Sequence, residues 1–510
     1  MSNQVLQTLG SYWPLLAFGC LLLRSLYRRY LHPLHTVPGP FLGSITSLWW
    51  LSVFLFGKEQ YRKPILLHAQ YGPIVRIRPN TVIIHDPKYF PEFFTWDKSD
   101  FFLAFRSHST VIGHGGELDI ELHNQKKRNV MGGFAMSQIL KNEANMDKMV
   151  MRFLDRLDEK KNTIFDIGPW TQFATFDVAT QMLFSEPVGF VKEGRDVDNV
   201  ISSLHGLLSF VGVAGLHPWI AKILFHPRLF PLIGPKPTDK TGPGALHGFT
   251  YKQLDKRLAK KDSDSSPPDV FQWIMEHKDK EGQHMSRAML EQEGVGMILA
   301  ASDTTAATLR ALILTISSNS RILNKLREQI DGADAKAALS TPPSYSELLA
   351  HVPYVELLFK EAQRAYPIVG IPLPKKAPKN GAHVSGHFLP GGTEVGLSQW
   401  AVGYNPNIWG EDVALFKPER WSEDLSHDPA AQRRRDQAEV WFSGGHTLCT
   451  GRNVALLEVY KITTQLFRTF NVEVVNNAQP WKVQAEVAMI HTDFFVKLTE
   501  RKRSNGEDVQ

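Results

Sequence analysis

Only two cysteines occur in the 510 residues of this chain. One of them, Cys20, lies in an apolar run near the N-terminus, so Cys449 is the single thiol of the remaining chain. A lone thiol excludes an internal disulfide, and a closed zinc site would need several Cys or His ligands. The shortage of cysteine therefore favours a reducing, cytosol-facing compartment over secretion.

A large net charge, internal repeats and a glycine-rich nucleotide loop are also missing. The net charge of +5 is small for this length and gives no case for nucleic-acid binding. No repeat of the solenoid type occurs, and no nucleotide-binding glycine loop is present. Hydrophobic residues make up 43% and charged residues 21%, which is ordinary for a folded protein. The composition therefore indicates a globular body without a nucleic-acid partner.

An apolar segment opens the chain. From Val5 to Leu23 it reaches roughly the 17 to 20 residues that a membrane-spanning helix needs. Arg24, Arg28 and Arg29 follow it, and a basic flank on that side predicts that this side is cytoplasmic. A cleaved signal peptide would carry its positive charge before the apolar run, so an uncleaved anchor is the better interpretation. The sequence V-P-G-P-F then predicts a stiff turn after the anchor.

The body is predicted to be mainly α-helical with a smaller antiparallel β part. Residues 71–87 alternate apolar side chains around a Pro-Asn pair, which predicts a β-hairpin. Residues 286–318 carry one uninterrupted helical pattern, which would span about 48 Å. Residues 201–234 are strongly apolar but contain three prolines, so they cannot form a single helix. Buried core is one interpretation of that last stretch.

Glycines surround Cys449. The run from residue 440 to 458 reads V-W-F-S-G-G-H-T-L-C-T-G-R-N-V-A-L-L-E, and glycine is typical where backbone bends tightly or approaches something closely. An apolar helical pattern begins just after the cysteine, so helix N–H groups and the helix dipole would stabilise a thiolate there. A buried, inert cysteine is the alternative. The pattern favours a metal-bound thiolate.

This run resembles the haem-ligand loop of the cytochromes P450, whose pattern is F-x-x-G-x-[R/H]-x-C-x-G. Phe442, Gly445, Cys449 and Gly451 match it, and Thr447 stands where the family usually has Arg. The resemblance implies that Cys449 is the axial ligand of a haem iron. It also implies that Phe442 and Gly445 belong to the same cofactor-binding loop.

A second motif lies in the middle of the long helical pattern. Residues 299–305 read L-A-A-S-D-T-T, with small and then polar residues between apolar flanks. The motif resembles the [A/G]-G-x-[D/E]-T-[T/S] groove of the central P450 helix, where the helix opens to admit dioxygen, and Ala301 replaces the usual glycine. The resemblance implies that Asp303 and Thr304 are the catalytic acid–alcohol pair that delivers protons.

Two further motifs follow in the order of the family. The sequence E-A-Q-R, which ends at Arg364, would by itself indicate a surface salt bridge. Residues 416–421, F-K-P-E-R-W, match the P-E-R-W element of the family. The resemblance implies that Glu361, Arg364 and Arg420 form one buried charged network with a structural role. Four motifs in the right order are highly specific in combination, and the resemblance covers the chain from the proline-rich turn to the end.

The resemblance also implies which side chains would hold the haem propionates. The W-x-x-x-R pattern of the family is replaced by His123 to Lys127 with Arg128 next, and Lys375 takes the place of a strand arginine. His123, Lys127, Arg128 and Lys375 are therefore the expected cofactor-binding side chains, with His446 as a supplement. Lysine offers a carboxylate a point charge, without the fork of arginine.

As a whole the chain is similar to microsomal (class II) P450s, and among them to fungal secondary-metabolism monooxygenases of the pisatin-demethylase-like kind. The similarity implies the cytochrome P450 fold, with a long central I helix, an N-terminal membrane anchor and hinge over residues 1–36, and a haem-thiolate catalytic domain over residues 37–510. It implies haem b, O2 as co-substrate, and electrons from NADPH through a separate NADPH–cytochrome P450 reductase. The expected location is the endoplasmic reticulum membrane, single-pass, with the catalytic body cytosolic.

The expected substrate is a lipophilic small molecule that the enzyme hydroxylates or otherwise oxidises. Residues 201–234 would cover the substrate channel and dip into the membrane, as the region between the F and G helices does in the family. Polyketide, terpenoid and alkaloid scaffolds all stay open. The segments that would line the pocket by position are mainly apolar, namely Phe101–Phe105, Met297–Ala301, Ile368–Ile371 and Met489–Ile490.

Other functions stay open on the sequence. A P450-fold isomerase or dehydratase rearranges an oxygenated substrate without dioxygen, but such enzymes tend to lose the acid–alcohol pair that Asp303 and Thr304 retain. A haem-poor binding protein is suggested by Thr447 and Lys127, which stand in arginine positions. A plain helical membrane protein with an inert Cys449 is disfavoured by the four ordered motifs.

Overall fold

Helices dominate the fold, as the sequence predicts. The structure is a computed structural model that describes residues 2–57, 59–260, 267–423 and 425–502, with side chains from residue 12 onward. Shorter helices lie at 41–45, 48–52, 90–93, 136–139, 190–193, 218–224, 230–233, 270–276, 345–351, 399–403 and 406–409. The helices of nine residues or more are α1 (Ser2–Leu26), α2 (Lys63–Tyr71), α3 (Ile120–Met131), α4 (Glu143–Asp158), α5 (Ile167–Phe184), α6 (Val200–Leu216), α7 (Gly242–Ala259), α8 (Arg287–Ala301), α9 (Asp303–Ser317), α10 (Ser320–Asp334), α11 (Tyr354–Ala365), α12 (Pro429–Gln437) and α13 (Arg452–Thr469).

The strands are short and form small sheets at the edge of the helical body. Within the described residues, one sheet has the order β1-β2-β7-β4, another β3-β11-β8, and two pairs stand alone as β5-β6 and β9-β10. The strands are β1 (Ile74–Arg78), β2 (Thr81–Ile84), β3 (Ile164–Asp166), β4 (Leu373–Lys376), β5 (Ala382–Val384), β6 (His387–Leu389), β7 (Glu394–Leu397), β8 (Phe470–Val474), β9 (Lys482–Ala485), β10 (Met489–Thr492) and β11 (Phe495–Glu500).

The predicted β-hairpin is confirmed, and one pairing differs from the predicted antiparallel arrangement. β1 and β2 pair antiparallel, with Val75 opposite Ile83. β7 joins this hairpin beside β2 in parallel, with Ile83 opposite Gly396. Parallel neighbours need a long crossover, and here the helices from α3 to α11 lie between the two strands in sequence. The sheet therefore ties the N-terminal part of the chain to the segment that leads to the Cys449 loop.

The core is built around two helices that are buried on nearly every side. α5 is buried along almost its whole length, and α9 is buried at most of its positions. Buried polar side chains on them, such as Gln172 and Arg310, have hydrogen-bond partners, which such groups need in an interior. α9 packs against α5, α11, α13 and β10, so the polar residues at its first turn lie deep inside the molecule.

The predicted single helix over residues 286–318 is wrong in one respect, because it is interrupted at Ser302. α8 ends at Ala301 and α9 begins at Asp303, with Ser302 at φ −92° and ψ −64°. The hydroxyls of Thr304 and Thr305 donate to the carbonyls four residues before them, at 3.0 and 3.5 Å. Such side-chain bonds compete with the backbone ladder and bend a helix. The small residues around Ser302 leave room for this opening.

The proline-broken region divides as predicted. α6 ends at Leu216, and a new helix begins at Pro218. The exposed apolar side chains here include Trp219, in this new helix, and Leu232 and Ile233 farther along the chain. The stretches 197–216 and 287–317 are each long and apolar enough to cross a membrane, but they are largely buried in the protein, as core helices are. On α1, by contrast, most apolar side chains from Tyr12 onward are exposed.

Candidate functional site

The loop before α13 holds Cys449 against a cavity. The backbone N–H of Cys449 donates to the carbonyl of Phe442 at 2.9 Å, which closes the loop. Gly445 has a φ of +52°, a left-handed conformation that suits glycine. A Cβ on Gly444 would lie 2.6 Å from the ring of Phe94. The glycines of the motif are therefore needed for this tight loop.

The N-terminal end of α13 affects the pKa of the Cys449 thiol. Burial raises the pKa of Cys449 above its ordinary value. The backbone N–H groups of Gly451 and Arg452 and the ammonium of Lys127 act in the opposite direction. These donors stabilise a thiolate, as the sequence predicts for a cysteine at a helix N-terminus.

Phe442 and Thr447 make contacts within and behind the loop, and each also lines one of the spaces that Cys449 lines. The ring of Phe442 stacks on Phe359 with centroids 6.1 Å apart, and the guanidinium of Arg452 lies 5.9 Å from its centroid. The hydroxyl of Thr447 donates to the carbonyl of Gly444 at 3.0 Å. The position where the family usually has Arg therefore carries a loop-closing hydroxyl here.

Three buried lysines surround a cavity of about 300 Å³ that Cys449 also lines. They are Lys98, Lys127 and Lys375, each at most 5% exposed. None of them has a carboxylate within 4.0 Å among the described residues, and their partners are neutral. Lys98 donates to the carbonyls of His114 and Gly115 at 3.0 Å, Lys127 to those of His446 and Leu448 at 2.8 and 2.5 Å, and Lys375 to those of Phe94 and Trp96 at 3.0 and 3.1 Å.

Burial and mutual repulsion disfavour the positive charges of this lysine cluster. Burial, with repulsion from Lys375 and Lys127, lowers the pKa of Lys98 to about 7. Burial lowers the pKa of Lys375 to about 8. A ligand carrying two carboxylates would stabilise the charged forms of both lysines and so oppose the effect of burial on their pKa values. A cavity lined by both the lysine cluster and Cys449 fits a haem with its propionates.

The predicted cofactor-binding side chains are only partly brought together. Lys127 and Lys375 line the cavity, and so does His123. Burial, with repulsion from Lys98, lowers the pKa of His123 to about 4, so this residue is a neutral imidazole at pH 7 and not a cation. Arg128 is exposed on α3 and is not among the described residues that line the cavity. The role in haem binding predicted for Arg128 therefore has no support from its position.

Sequence reasoning missed Lys98. It lies in the irregular segment before the turn at residues 100–105, outside every motif used above. Its ammonium lies 3.0 Å from Nδ1 of His123. His446, considered as a supplementary cation, has an exposed side chain. It contributes its carbonyl, which accepts from Lys127 at 2.8 Å and lies 3.0 Å from Nε2 of His123.

We expect Lys98→Met to weaken haem binding by about tenfold or more, because a hydrogen bond to a charged group contributes about 1.5–3 kcal/mol. The matched control is Arg128→Met, which should leave haem retention unchanged. The measurement is the rate of haem transfer from each purified protein to an excess of a haem scavenger. Equal rates for both variants would contradict the assignment of Lys98 to the propionates.

The same cluster predicts a pH effect with a definite sign. In the haem-free protein Lys98 and Lys375 lose protons as pH rises past about 7 and 8. A bound dianion restores these protons, so the complex holds more protons than the free protein, and this contribution to affinity falls between pH 7 and 9. Ionisation of the Cys449 thiol works in the opposite direction. It is common to wild type and Lys98→Met, so the difference between the two should shrink as pH rises.

Asp303 and Thr304 lie at the break between α8 and α9. Both line a second, larger cavity, which is described below. The carboxylate of Asp303 is 2% exposed, with Oδ1 3.0 Å from Nε2 of His205 and hydrogen-bonded to the amide of Gln172. Its Oδ2 has no partner among the described residues. Thr304 and Cys449 line a common space of about 120 Å³. His205 and Gln172, on α6 and α5, were not predicted from sequence.

The predicted network of Glu361, Arg364 and Arg420 is confirmed. Glu361 accepts two hydrogen bonds from Arg364, at 2.9 and 2.8 Å, and one from Arg420 at 3.0 Å. Trp421 adds a fourth from its indole N–H at 2.9 Å. Glu361 and Arg364 are 0% exposed and Arg420 is 2% exposed. The network clamps α11 to the segment that precedes the Cys449 loop.

A larger cavity of about 630 Å³ is lined by Asp303 and Thr304 and also reaches Thr450, next to Cys449. Three of the predicted pocket segments contribute to it, through the end of 101–105, most of 297–301 and the start of 368–371. The fourth predicted segment, residues 489–490, is wrong, because the wall is formed by the two residues before it. Met489 and Ile490 are buried in the core on β10, and the turn before that strand places Val487 and Ala488 in the wall.

Comparison with known proteins gives one consistent result. The family model described as Cytochrome P450 matches residues 38–498. A cytochrome P450 monooxygenase of Aspergillus terreus is 30% identical over 467 residues, which cover 88% of this chain and 92% of that protein. Cytochrome P450 monooxygenase aba1 of Botryotinia fuckeliana and gsfF of Penicillium aethiopicum are each 27% identical, over 92% and 95% of this chain. The similarity extends over nearly the whole length of each protein.

Proposed function

Because the chain belongs to the cytochrome P450 family, we propose that it is a haem-thiolate monooxygenase of fungal secondary metabolism that inserts oxygen into a lipophilic small molecule. In this proposal O2 is the co-substrate, and electrons come from NADPH through a P450 reductase. The observation that supports it is that Cys449 lines one space together with Thr304 and another together with three buried lysines.

The position of each residue suggests its role in the proposed reaction. Haem bound through the Cys449 thiolate would supply dioxygen activation and favour O–O cleavage. Lys98, Lys127 and Lys375 would hold its carboxylates, while the N–H groups at the start of α13 stabilise the sulfur. The apolar wall of the larger cavity excludes water around the substrate.

Protons would be delivered by Asp303 and Thr304. His205 is partly exposed and its Nε2 lies 3.0 Å from Oδ1 of Asp303, so it links that buried carboxylate to the surface. Oδ2, which has no partner among the described residues, would pass a proton toward the hydroxyl of Thr304. General acid catalysis needs such a positioned donor.

The deciding experiment is the CO difference spectrum of the reduced, purified protein. We expect the band typical of a thiolate-bound haem, and Cys449→Ser should abolish it. A protein that takes up no haem would instead support the binding-protein alternative, against which the lysine cluster argues.

A second measurement separates the isomerase or dehydratase alternative. Product formation should require both NADPH and the reductase, and the retained Asp303–Thr304 pair supports that expectation. Product formed without either would favour rearrangement of an oxygenated substrate.

We also propose that α1 anchors the protein in the endoplasmic reticulum membrane as a single span, with the body in the cytosol. The exposed apolar side chains of α1 support this placement, since patches of that size mark interaction sites. The exposed Trp219, Leu232 and Ile233 support a second contact of the 201–234 region with the same membrane surface.

A further inference from the structure

The larger cavity has polar side chains in two parts of its wall. One part contains Asp303 and Thr304, next to the Cys449 side. The lining also includes Gln292 and Glu293, ten to twelve residues earlier in the chain, on α8. At 1.5 Å per residue, the helical backbone advances about 15 Å between these two pairs of residues. They therefore lie at different levels of the cavity wall.

His247 on α7 is an unusual residue of the cavity wall. It lines the cavity, is 4% exposed, and no described residue donates to or accepts from its ring. The ring lies parallel to that of Tyr251, with centroids 6.1 Å apart and an interplanar angle of 20°. Burial lowers the pKa of His247 to about 4, so at pH 7 the ring has one donor and one acceptor nitrogen. A buried polar group without a partner is costly.

The neighbours of His247 are already engaged with one another. Gln292 donates to the hydroxyl of Tyr251 at 3.2 Å and accepts from the hydroxyl of Ser107. A carboxylate oxygen of Glu293 lies 2.5 Å from Nδ1 of His114. Burial alone would raise the pKa of Glu293, but His114 holds it below its usual value. These groups form a polar wall, in which the ring nitrogens of His247 have no hydrogen-bond partner among the described residues.

The cavity lining near Gln292 and Glu293 contains side chains of both charge signs. Arg106 lines the cavity, with a hydrogen bond from its Nε to the carbonyl of Gly116 at 3.5 Å. Glu293 and Asp239 line it as well and carry the opposite charge. The rest of the wall is apolar, with contributions from Leu207, Leu208, Phe210, Val211, Leu299 and Ile368.

We propose that His247 recognises a hydroxyl group of the substrate, and that the substrate is an elongated, largely apolar alcohol whose hydroxyl lies at the end of the cavity remote from the carbon that is oxidised. A hydroxyl can donate to the unprotonated ring nitrogen of a neutral histidine or accept from the protonated one. A carboxylate would bring a further negative charge close to Glu293 and Asp239. The inference rests on the proposed function, because the Asp303–Thr304 end defines where oxidation occurs.

The test measures binding of matched probes to the full-length holoenzyme in detergent by isothermal titration calorimetry. The probe pairs are dodecane with dodecanol and androstane with androstanol, and dodecanoic acid is the charged comparison. We expect the alcohol of at least one pair to bind about tenfold or more tightly than its alkane. His247→Phe should reduce that preference to less than about twofold and leave alkane affinity unchanged. His383→Phe, an exposed histidine on β5, is the control and should keep the preference.

Three results would overturn the inference: no preference for the alcohol in either pair, an unchanged preference in His247→Phe, or tighter binding of dodecanoic acid than of dodecanol. If the Phe variant does not fold, the wild-type protein with ¹⁵N-labelled histidine gives the answer. The ring nitrogens of His247 should shift with the alcohol and not with the alkane, and identical spectra would refute the contact. Calorimetry does not depend on oxygen chemistry, so the CO difference spectrum reports separately on the proposed function.

Discussion

Replacing Asp303 by Asn should lower kcat by a factor of about 10²–10⁴, the range that a positioned proton donor contributes. The amide preserves the shape of the side chain and its contact with His205, but it cannot release and recover a proton. Substrate affinity should change little, because Asp303 is bonded to Gln172 and His205 and not dedicated to the substrate. The measurement is product formation per reductase-driven turnover, together with the substrate dissociation constant.

The control for this prediction is a double-mutant cycle with His205→Phe. If His205 serves Asp303, its replacement should slow product formation in wild type and have almost no further effect in Asp303→Asn. The solvent isotope effect on product formation should rise in His205→Phe. Independent, multiplicative effects of the two substitutions would show that His205 is not part of the proton route.

Replacing Glu361 by Ala should prevent most of the protein from folding. The substitution removes the shared acceptor of Arg364, Arg420 and Trp421, and breaking a buried ion pair on one side costs about 3–5 kcal/mol. That is a large part of the 5–15 kcal/mol or so by which native proteins are stable. The measurement is the yield of haem-containing protein, followed by urea unfolding of whatever is recovered.

Glu356→Ala is the matched control on the same helix. Glu356 forms an exposed pair with Lys360 at 3.3 Å, and such pairs contribute about 0–1 kcal/mol. Normal yield and stability of Glu356→Ala, beside failure of Glu361→Ala, would support the structural role of the network. A stable Glu361→Ala protein with normal haem content would contradict it.

The parts of the site that the sequence predicted are those in which neighbouring residues act together. Cys449 and its glycines form one loop, Asp303 and Thr304 share one helical turn, and Glu361 and Arg364 are one turn apart on α11. In each case local geometry brings the side chains together, so spacing along the chain carries the information. The hairpin and the helical character of the body are local in the same way.

The parts that the sequence did not predict depend on contacts between distant segments. Lys98 reaches the lysine cluster from an irregular segment, and His205 and Gln172 reach Asp303 from two other helices. Nothing in their neighbouring residues marks them, since only packing brings them to the site. Arg128 is the opposite case: it is adjacent in sequence to Lys127, but the helical rotation between them places it on the exposed side of α3.

The interruption at Ser302 also separates α8 from α9, and the two helices pack mainly against different parts of the molecule. α8 packs mainly against α7, and α7 against α6, whereas α9 packs against α5, α11 and α13. Substitutions on α7 or α8 can therefore reshape the end of the cavity that holds the substrate with little effect on the frame around Cys449. α5 contacts both α8 and α9, so we expect substitutions at positions of α7 and α8 that do not touch α5 to change the shape of the cavity with the smallest effect on that frame.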